Sequence, residues 1–165
     1  MVKKEYYNNG NKKIEIWYKN KKKHRLDGPA EIFYHENGNK KMSRWYNNDK
    51  SYRMIYYYDN EDIKEEYWYK EGRLHKKNGP AVIWYYPNGN KQEEHWYNYN
   101  KCYKTLNYYK NGNKRIEYWY NQNGQFHRDD GPAVIYYNED KIVIDEKYYL
   151  CGKLVDELVI LINKV

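Results

Sequence analysis

The tripeptide Gly-Pro-Ala occurs three times, at Gly28-Pro29-Ala30, Gly79-Pro80-Ala81 and Gly131-Pro132-Ala133, at intervals of 51 and 52 residues. A histidine stands four positions before each copy, at His24, His75 and His127. Aromatic pairs run through the chain at Trp17-Tyr18, Trp45-Tyr46, Trp68-Tyr69, Trp96-Tyr97, Trp119-Tyr120 and Tyr148-Tyr149, spaced 28, 23, 28, 23 and 29. The 51-residue unit therefore holds two half-repeats, one of them longer by about five residues around His-x-x-(Asp/Asn)-Gly-Pro-Ala. Self-similar modules bury their apolar surface against one another, so this periodicity constrains the fold more than any other feature.

Each half-repeat reads as a β-hairpin. Ala81–Tyr86 and Lys91–Tyr97 are rich in aromatic and β-branched residues and flank an Asn-Gly at Asn88-Gly89. Asn and Gly tolerate positive φ, as a tight hairpin turn demands. Asn9-Gly10, Asn37-Gly38 and Asn111-Gly112 repeat the signal, whereas Asn60-Glu61 and Asp140-Lys141 are degenerate copies whose turns are expected to be looser. Turn residues recur too often for helices. The expectation is an all-β chain of about six hairpins and twelve strands in an antiparallel meander.

Alternation sorts the two faces of each strand. First strands present an aliphatic and a tyrosine, as in Ile32/Tyr34, Ile55/Tyr57, Ile83/Tyr85, Leu106/Tyr108 and Ile135/Tyr137, with Lys4/Tyr6 in the first hairpin. Second strands present Lys13/Glu15/Trp17, Lys64/Glu66/Trp68 and Arg115/Glu117/Trp119, with Ser43 in place of the glutamate beside Trp45. Aliphatic residues are too few to fill a sandwich, so a single elongated sheet over residues 1–152 is expected. Residues 153–165 follow as a cap. The spacing of Leu154, Val155, Leu158, Val159, Leu161 and Ile162 favours an amphipathic helix with Asp156 and Glu157 in its first turn, a final strand being the alternative.

Tyr6, Tyr7, Asn9, Gly10 and again Tyr108, Tyr109, Asn111, Gly112 form a Tyr-Tyr-x-Asn-Gly box, with Trp-Tyr-x-Asn following. This pattern resembles the MORN repeat, and more closely the MORN-variant repeat. The His-(Arg/Lys)-x-(Asp/Asn)-Gly-Pro-Ala element is similar to one in multi-copy proteins of large DNA viruses that infect amoebae, and a bacterial family of antitoxins uses a similar variant. Most copies here carry Trp-Tyr where the ordinary unit has Tyr-x-Gly-x-(Trp/Tyr), and they lack its second glycine. The resemblance spans residues 3 to about 152. It implies an elongated hairpin array, often self-associating, that acts as a scaffold or binding platform without chemistry of its own. It further implies a viral protein in the host cytoplasm, or one associated with the virion.

The residues themselves point away from catalysis. Equivalent histidines lie four strands apart, roughly 19 Å in a flat sheet at about 4.8 Å per strand. Zinc holds its ligands at about 2 Å, so His24, His75 and His127 cannot share one ion. They read as turn elements bracing Gly-Pro corners with Asp27, Gly28 and Pro29, with Asn78, Gly79 and Pro80, and with Asp130, Gly131 and Pro132. His35 and His95 read as sheet surface. Glu15, Glu66, Glu94, Glu117 and Glu146 occupy one repeated position, which suits cross-strand pairing with lysines better than a catalytic pair. No nucleophile elbow, phosphate loop or dinucleotide turn is present. No catalytic residue, metal or cofactor is expected.

Charge raises the one rival. The first 25 residues hold nine Lys or Arg against two acids, and the remainder holds 21 of each, so the net +7 is local. Lys19, Lys21, Lys22, Lys23 and Arg25 are candidate phosphate contacts, and Trp17, Trp45, Trp68, Trp96 and Trp119 are candidate contact aromatics for a protein partner or stacked bases. Glutamates interleave those aromatics, and lysines also protect an open sheet edge, so nucleic-acid binding ranks second. A mean hydropathy of -1.33 leaves no membrane span, and no lipidation motif accompanies the basic cluster. Cys102 and Cys151 form no CxxC pair, and no apolar leader follows Met1, both fitting an intracellular protein. The sequence thus points to a non-enzymatic scaffold that binds an unnamed protein or forms a homodimer.

Overall fold

Three-residue loops close the six hairpins. In the first, Tyr7 N–H donates to the Asn11 carbonyl (2.8 Å), Gly10 N–H to the Tyr7 carbonyl (3.0 Å), and Asn11 N–H to the Asn9 side-chain oxygen (3.0 Å). This is a type I turn ended by one left-handed residue, with a bulge in the strand before it. Only Gly10 takes positive φ (84°), while Asn9 contributes its side chain. The same closing bond joins His35 to Asn39, Tyr58 to Asp62, Tyr86 to Asn90, Tyr109 to Asn113 and Asn138 to Ile142, at 2.8 or 2.9 Å. The degenerate turns are therefore not looser. Glu61 (φ 66°) and Lys141 (φ 69°) adopt the glycine conformation and keep the bonds, so the departure appears as backbone strain.

A second turn type links the hairpins. Asn20-Lys21, Asn48-Asp49, Glu71-Gly72, Tyr99-Asn100 and Cys151-Gly152 each place two consecutive residues at positive φ, the two-residue turn of type I′. In the third long copy a three-residue loop between Asn121 and Gln125 stands instead, with Gly124 at φ 77° and Asn121 N–H on the Gln125 carbonyl at 2.9 Å. That substitution is where the repeat interval lengthens from 51 to 52.

The computed structural model describes residues 1–162. Among the described residues the chain is all-β apart from one short helix, and it divides into two units, Met1–Leu74 and His75–Val165. The first holds β1 (Val2–Tyr6), β2 (Lys12–Lys19), β3 (Lys22–Lys23), β4 (Glu31–Tyr34), β5 (Lys40–Asn47), β6 (Lys50–Tyr57), β7 (Ile63–Lys70) and β8 (Arg73–Leu74). Its antiparallel sheet runs in the order β1-β2-β4-β5-β6-β7, with β3 on the end of β2 and β8 on the end of β7. The second holds β9 (Val82–Tyr85), β10 (Lys91–Asn98), β11 (Lys101–Tyr108), β12 (Lys114–Trp119), β13 (Val134–Tyr137), β14 (Val143–Leu150), β15 (Lys153–Val155) and α1 (Glu157–Ile162). Here too neighbours in sequence are neighbours in the sheet. The expected hairpin strands all form, and β3, β8 and β15 are short additions beyond them.

Asparagine and tyrosine side chains tie each hairpin to the next within a unit. Tyr7, Tyr86 and Tyr109 donate their hydroxyls to the carbonyls of Tyr34, Tyr108 and Tyr137 (2.8–2.9 Å). Asn11, Asn39, Asn90 and Asn113 donate side-chain N–H to the carbonyls of Glu36, Asp59, Lys110 and Glu139 (2.6–2.8 Å). The Tyr-Tyr-x-Asn-Gly-Asn box is thus a stacking device as well as a turn. Alanines of the Gly-Pro-Ala copies are fully buried and prolong the ladder, Ala30 and Ala133 accepting from Trp17 and Trp119 N–H.

The C-terminal apolar stretch is shared between strand and helix. Leu154 and Val155 lie in β15, and α1 follows, the Asp156 carboxylate accepting Leu158 N–H at 3.2 Å. Ile160 is buried, whereas Leu158, Val159 and Leu161 are exposed. Residues 163–165 of the expected cap lie outside the described residues. No helix among the described residues is long and apolar enough to cross a membrane.

Candidate functional site

Register explains the buried carboxylates. On one face of the first unit the row reads Lys4, Glu15, Ile32, Ser43, Ile55, Glu66; in the second it reads Ile83, Glu94, Leu106, Glu117, Ile135, Glu146. Glu15, Glu66, Glu94 and Glu117 are buried and Glu146 is exposed. A buried carboxylate is tolerated only when its lone pairs are filled. Glu117 receives Lys104 (3.0 Å), Lys114 (3.1 Å) and the Trp119 indole N–H (2.9 Å). Glu66 receives Arg53 and the Trp68 indole N–H, both at 2.8 Å. Glu15 is held by Lys4, Lys12 and the Tyr34 hydroxyl, and Glu94 by Lys91 and the Tyr108 hydroxyl. Burial works to raise the pKa of Glu15 and Glu117, but their hydrogen-bonding and cationic neighbours prevail and hold both below the ordinary value. The repeated acids are structural partners, not free groups.

The tryptophans of the expected binding set form the next row, and their rings face cations of the same chain. Arg53 lies between Trp45 (4.7 Å) and Trp68 (4.9 Å). Lys104 lies between Trp96 (5.5 Å) and Trp119 (4.3 Å), and Arg128 reaches Trp119 as well (4.5 Å). Arg25 stacks on Trp17 at 4.3 Å. All five indoles are half-buried. Desolvated pairs of this kind contribute roughly 0.5–2 kcal/mol each.

At two of the three Gly-Pro corners an arginine braces the aspartate. Arg25 Nε donates to Asp27 (2.9 Å) and Arg128 Nε to Asp130 (2.6 Å), each guanidinium lying over the following Gly28 or Gly131. His24 and His127 bond backbone N–H to the Trp17 and Trp119 carbonyls, at 3.1 and 3.0 Å. The imidazoles sit against the next two-residue turn in two copies: His75 stacks on Tyr99 (4.4 Å), and His127 Nδ1 accepts Cys151 N–H (3.1 Å). Both His24 ring nitrogens lie buried without a hydrogen-bond partner among the described residues. In the middle copy Lys76 replaces the arginine, packing near Gly79 beside Pro80, with Asn78 at the aspartate position. Arginine thus holds Asp27 and Asp130, the aspartates expected beside histidine, while His127 Nε2 lies 3.2 Å from the neighbouring Asp129.

The basic cluster divides. Lys23 is tied to Glu31 (2.5 Å), its N–H bonds Asp49 (2.6 Å), and its ammonium lies over Tyr46. Arg25 is held by Asp27 and Trp17. Lys19, Lys21 and Lys22 remain exposed.

No protein-family model matches the chain, and no curated protein matches it.

The opposite face carries what the sequence did not announce. Each unit has a groove at the same place in the repeat, about 580 Å³ in the first and about 760 Å³ in the second. Residues 51 apart occupy equivalent walls: Arg44 and His95, Ser51 and Cys102, Met54 and Thr105, Tyr69 and Tyr120. In the first groove Arg44 is engaged with the Tyr46 hydroxyl and the Met54 sulfur, both at 3.1 Å. In the second a polar chain replaces it. Glu93 lies 3.0 Å from His95 Nε2, His95 Nδ1 lies 3.2 Å from the Thr105 hydroxyl, and that hydroxyl lies 3.6 Å from Cys102 Sγ. Burial lowers the His95 pKa despite Glu93 and raises that of the Cys102 thiol, so both shifts favour the uncharged forms, and the Thr105 hydroxyl stands between the two groups. That pairing is unlike the thiolate–imidazolium couple of nucleophilic catalysis. His95 thus belongs to a half-buried network and not to bare sheet surface; a histidine occurring once in the repeat was its only sequence signal.

Proposed function

We propose that the protein is a non-enzymatic repeat scaffold of the MORN-variant kind, acting by protein–protein contact or self-association. The observation that carries this reading is the open end of the second sheet. β15 covers only Tyr148–Leu150 of β14, and among the described residues no strand pairs the outer edge of Val143–Lys147. Ile142, Val143 and Ile144 there are exposed, Ile142 and Ile144 by 61% and 62%. An exposed aliphatic strand edge is a template for another chain. The filled carboxylate and tryptophan rows support the same reading, since the repeated polar groups are consumed in stacking.

Light scattering across a concentration series tests it. The expected result is a dimer or larger species that Ile144→Lys disperses. A monomer at every concentration, with no protein retained by the immobilised chain from its native cell, removes the proposal. Sequence-independent nucleic-acid binding stays the second reading, now resting on Lys19, Lys21 and Lys22. It requires steeply salt-dependent binding that Lys21→Ala and Lys22→Ala flatten.

A further inference from the structure

The two grooves are an internal comparison. The repeat builds both, yet the side chains facing the second are of a different chemistry. Where the first unit has Met42, Met54 and Tyr56, the second has Glu93, Thr105 and Asn107, each 51 positions on. Folding alone does not call for the exchange, because large apolar side chains fill the same backbone frame one unit earlier. Replacing them by polar groups in a concavity sacrifices packing and desolvates hydrogen-bonding atoms.

Three features of the second groove identify what fits it. The first is a pair of planar polar groups. Glu93 and Asn107 are direct partners across β10 and β11, so their side chains leave the same face about 5 Å apart. His95 takes one Glu93 oxygen and turns its other nitrogen to Thr105, which fixes the carboxylate and leaves its second oxygen available. The Asn107 amide makes no hydrogen bond to the described residues and lines the groove. One acceptor beside one donor–acceptor group, at that separation, matches two neighbouring hydroxyls, each able to give and to take a hydrogen bond.

The second feature is an aromatic wall. Tyr118, Tyr120 and Phe126 have near-parallel rings, with interplanar angles of 17°, 23° and 28° and centres 5.4–6.3 Å apart. Rings stacked in that way leave an outer ring face and ring edges toward the groove, surfaces against which the C–H face of a sugar ring packs. They do not enclose a point as the aromatic box around a quaternary ammonium does. The third feature is charge. The Glu93 carboxylate is partnered, Lys101 is the only cationic side chain lining the groove among the described residues, and the arginine of the first groove is replaced by His95. Nothing there concentrates positive charge for a phosphate or carboxylate ligand.

We infer that the groove of the second unit binds a neutral carbohydrate, one sugar ring lying on the Tyr118–Tyr120–Phe126 wall with adjacent hydroxyls on Glu93 and Asn107. Cys102 and Thr105 form the floor.

A glycan array probed with the full chain, followed by isothermal titration of the best neutral oligosaccharide, tests this. Sialyllactose and adenosine serve as anionic and nucleoside controls. Asn107→Leu and Glu93→Leu should each weaken binding by about ten-fold or more, and Arg44→Leu in the first groove should leave it unchanged. The triple change Glu93→Met, Thr105→Met, Asn107→Tyr copies the first unit's filling. It should fold with a raised melting temperature and bind nothing, which separates loss of the site from loss of the fold. An array blank for neutral glycans, tighter binding of adenosine or sialyllactose, or saccharide binding that survives the triple change overturns the inference.

Discussion

Lys104 and Trp119 face each other across β11 and β12, with the ammonium 4.3 Å from the ring centre. The same ammonium lies 3.0 Å from Glu117, so one cation serves an indole face and a buried carboxylate together. Lys104→Met keeps the aliphatic stem and removes the charge, leaving Glu117 to Lys114 and the Trp119 N–H. Stripping a cation from a buried carboxylate is expected to cost about 2–4 kcal/mol in urea unfolding. The looser pair of the exposed Lys64 with Glu65, at 3.9 Å, is the control, because Glu65 keeps the Tyr67 hydroxyl, and Lys64→Met should change stability by less than about 0.5 kcal/mol. Equal effects at the two lysines would show that the row contributes only area.

Strain at the degenerate turns predicts substitutions that stabilise. Lys141 sits at φ 69°, where the intact repeat has glycine, and its exposed side chain makes no hydrogen bond or ion pair with the described residues. Lys141→Gly should raise stability by about 0.5–1 kcal/mol, relief of the left-handed penalty outweighing the added freedom of the unfolded chain. Gly112→Ala, at φ 88°, should lower it by about 1 kcal/mol. Thermal unfolding of the two variants checks the opposite signs.

Acid should weaken the fold in two stages. Burial keeps His95 from taking a proton that it accepts near pH 6.5 in the unfolded chain, so stability declines as pH falls below about 6.5. Glu15 and Glu117 have depressed folded values, so their contribution is complete above the unfolded carboxylate value near 4.3 and is lost below it as they protonate. Melting temperature against pH should therefore show a shallow fall and then a steep one. His95→Gln should remove the first stage alone.

Much of this was legible in the sequence because repetition multiplies weak signals. The Glu-x-Trp and aliphatic–tyrosine columns stand in register, but the bulge before each turn brings Lys12 and Lys114, not the expected Lys13 and Arg115, to Glu15 and Glu117. The extra residue in the 52-residue interval has a location, the Asn121–Gln125 loop. Other features left no such trace. Asn-Gly marked the hairpin turns, yet two consecutive residues at positive φ occur instead in pairs such as Asn20-Lys21 and Tyr99-Asn100, whose side chains give little warning of it. Arginine holds Asp27 because a guanidinium reaches aspartate and indole at once, which spacing does not reveal. His95, Thr105 and Asn107 occur once, and single letters among many polar residues mean little until strand pairing sets them side by side.

The asparagine ladder should behave as a chain of independent links. Asn90 reaches the Lys110 carbonyl at 2.8 Å from an exposed loop, and Asn88 reaches the same carbonyl at 2.9 Å. Asn90→Ala leaves that acceptor with one donor and with water in reach, so the expected loss is only about 0.5–1 kcal/mol. Removing both donors with Asn88→Ala and Asn90→Ala should cost more than the sum of the single changes, since each alone is covered by the other. Asn88 also holds its own turn, accepting Asn90 N–H at 3.1 Å, so Asn88→Ala alone should loosen the loop as well. Hydrogen exchange resolves the two roles. Asn88→Ala should speed exchange at the Asn90 amide, whereas Asn90→Ala should leave the turn amide of Gly89, donated to the Tyr86 carbonyl at 2.9 Å, protected. Exchange rising evenly through the second unit for either variant would mean that the ladder unfolds as one body.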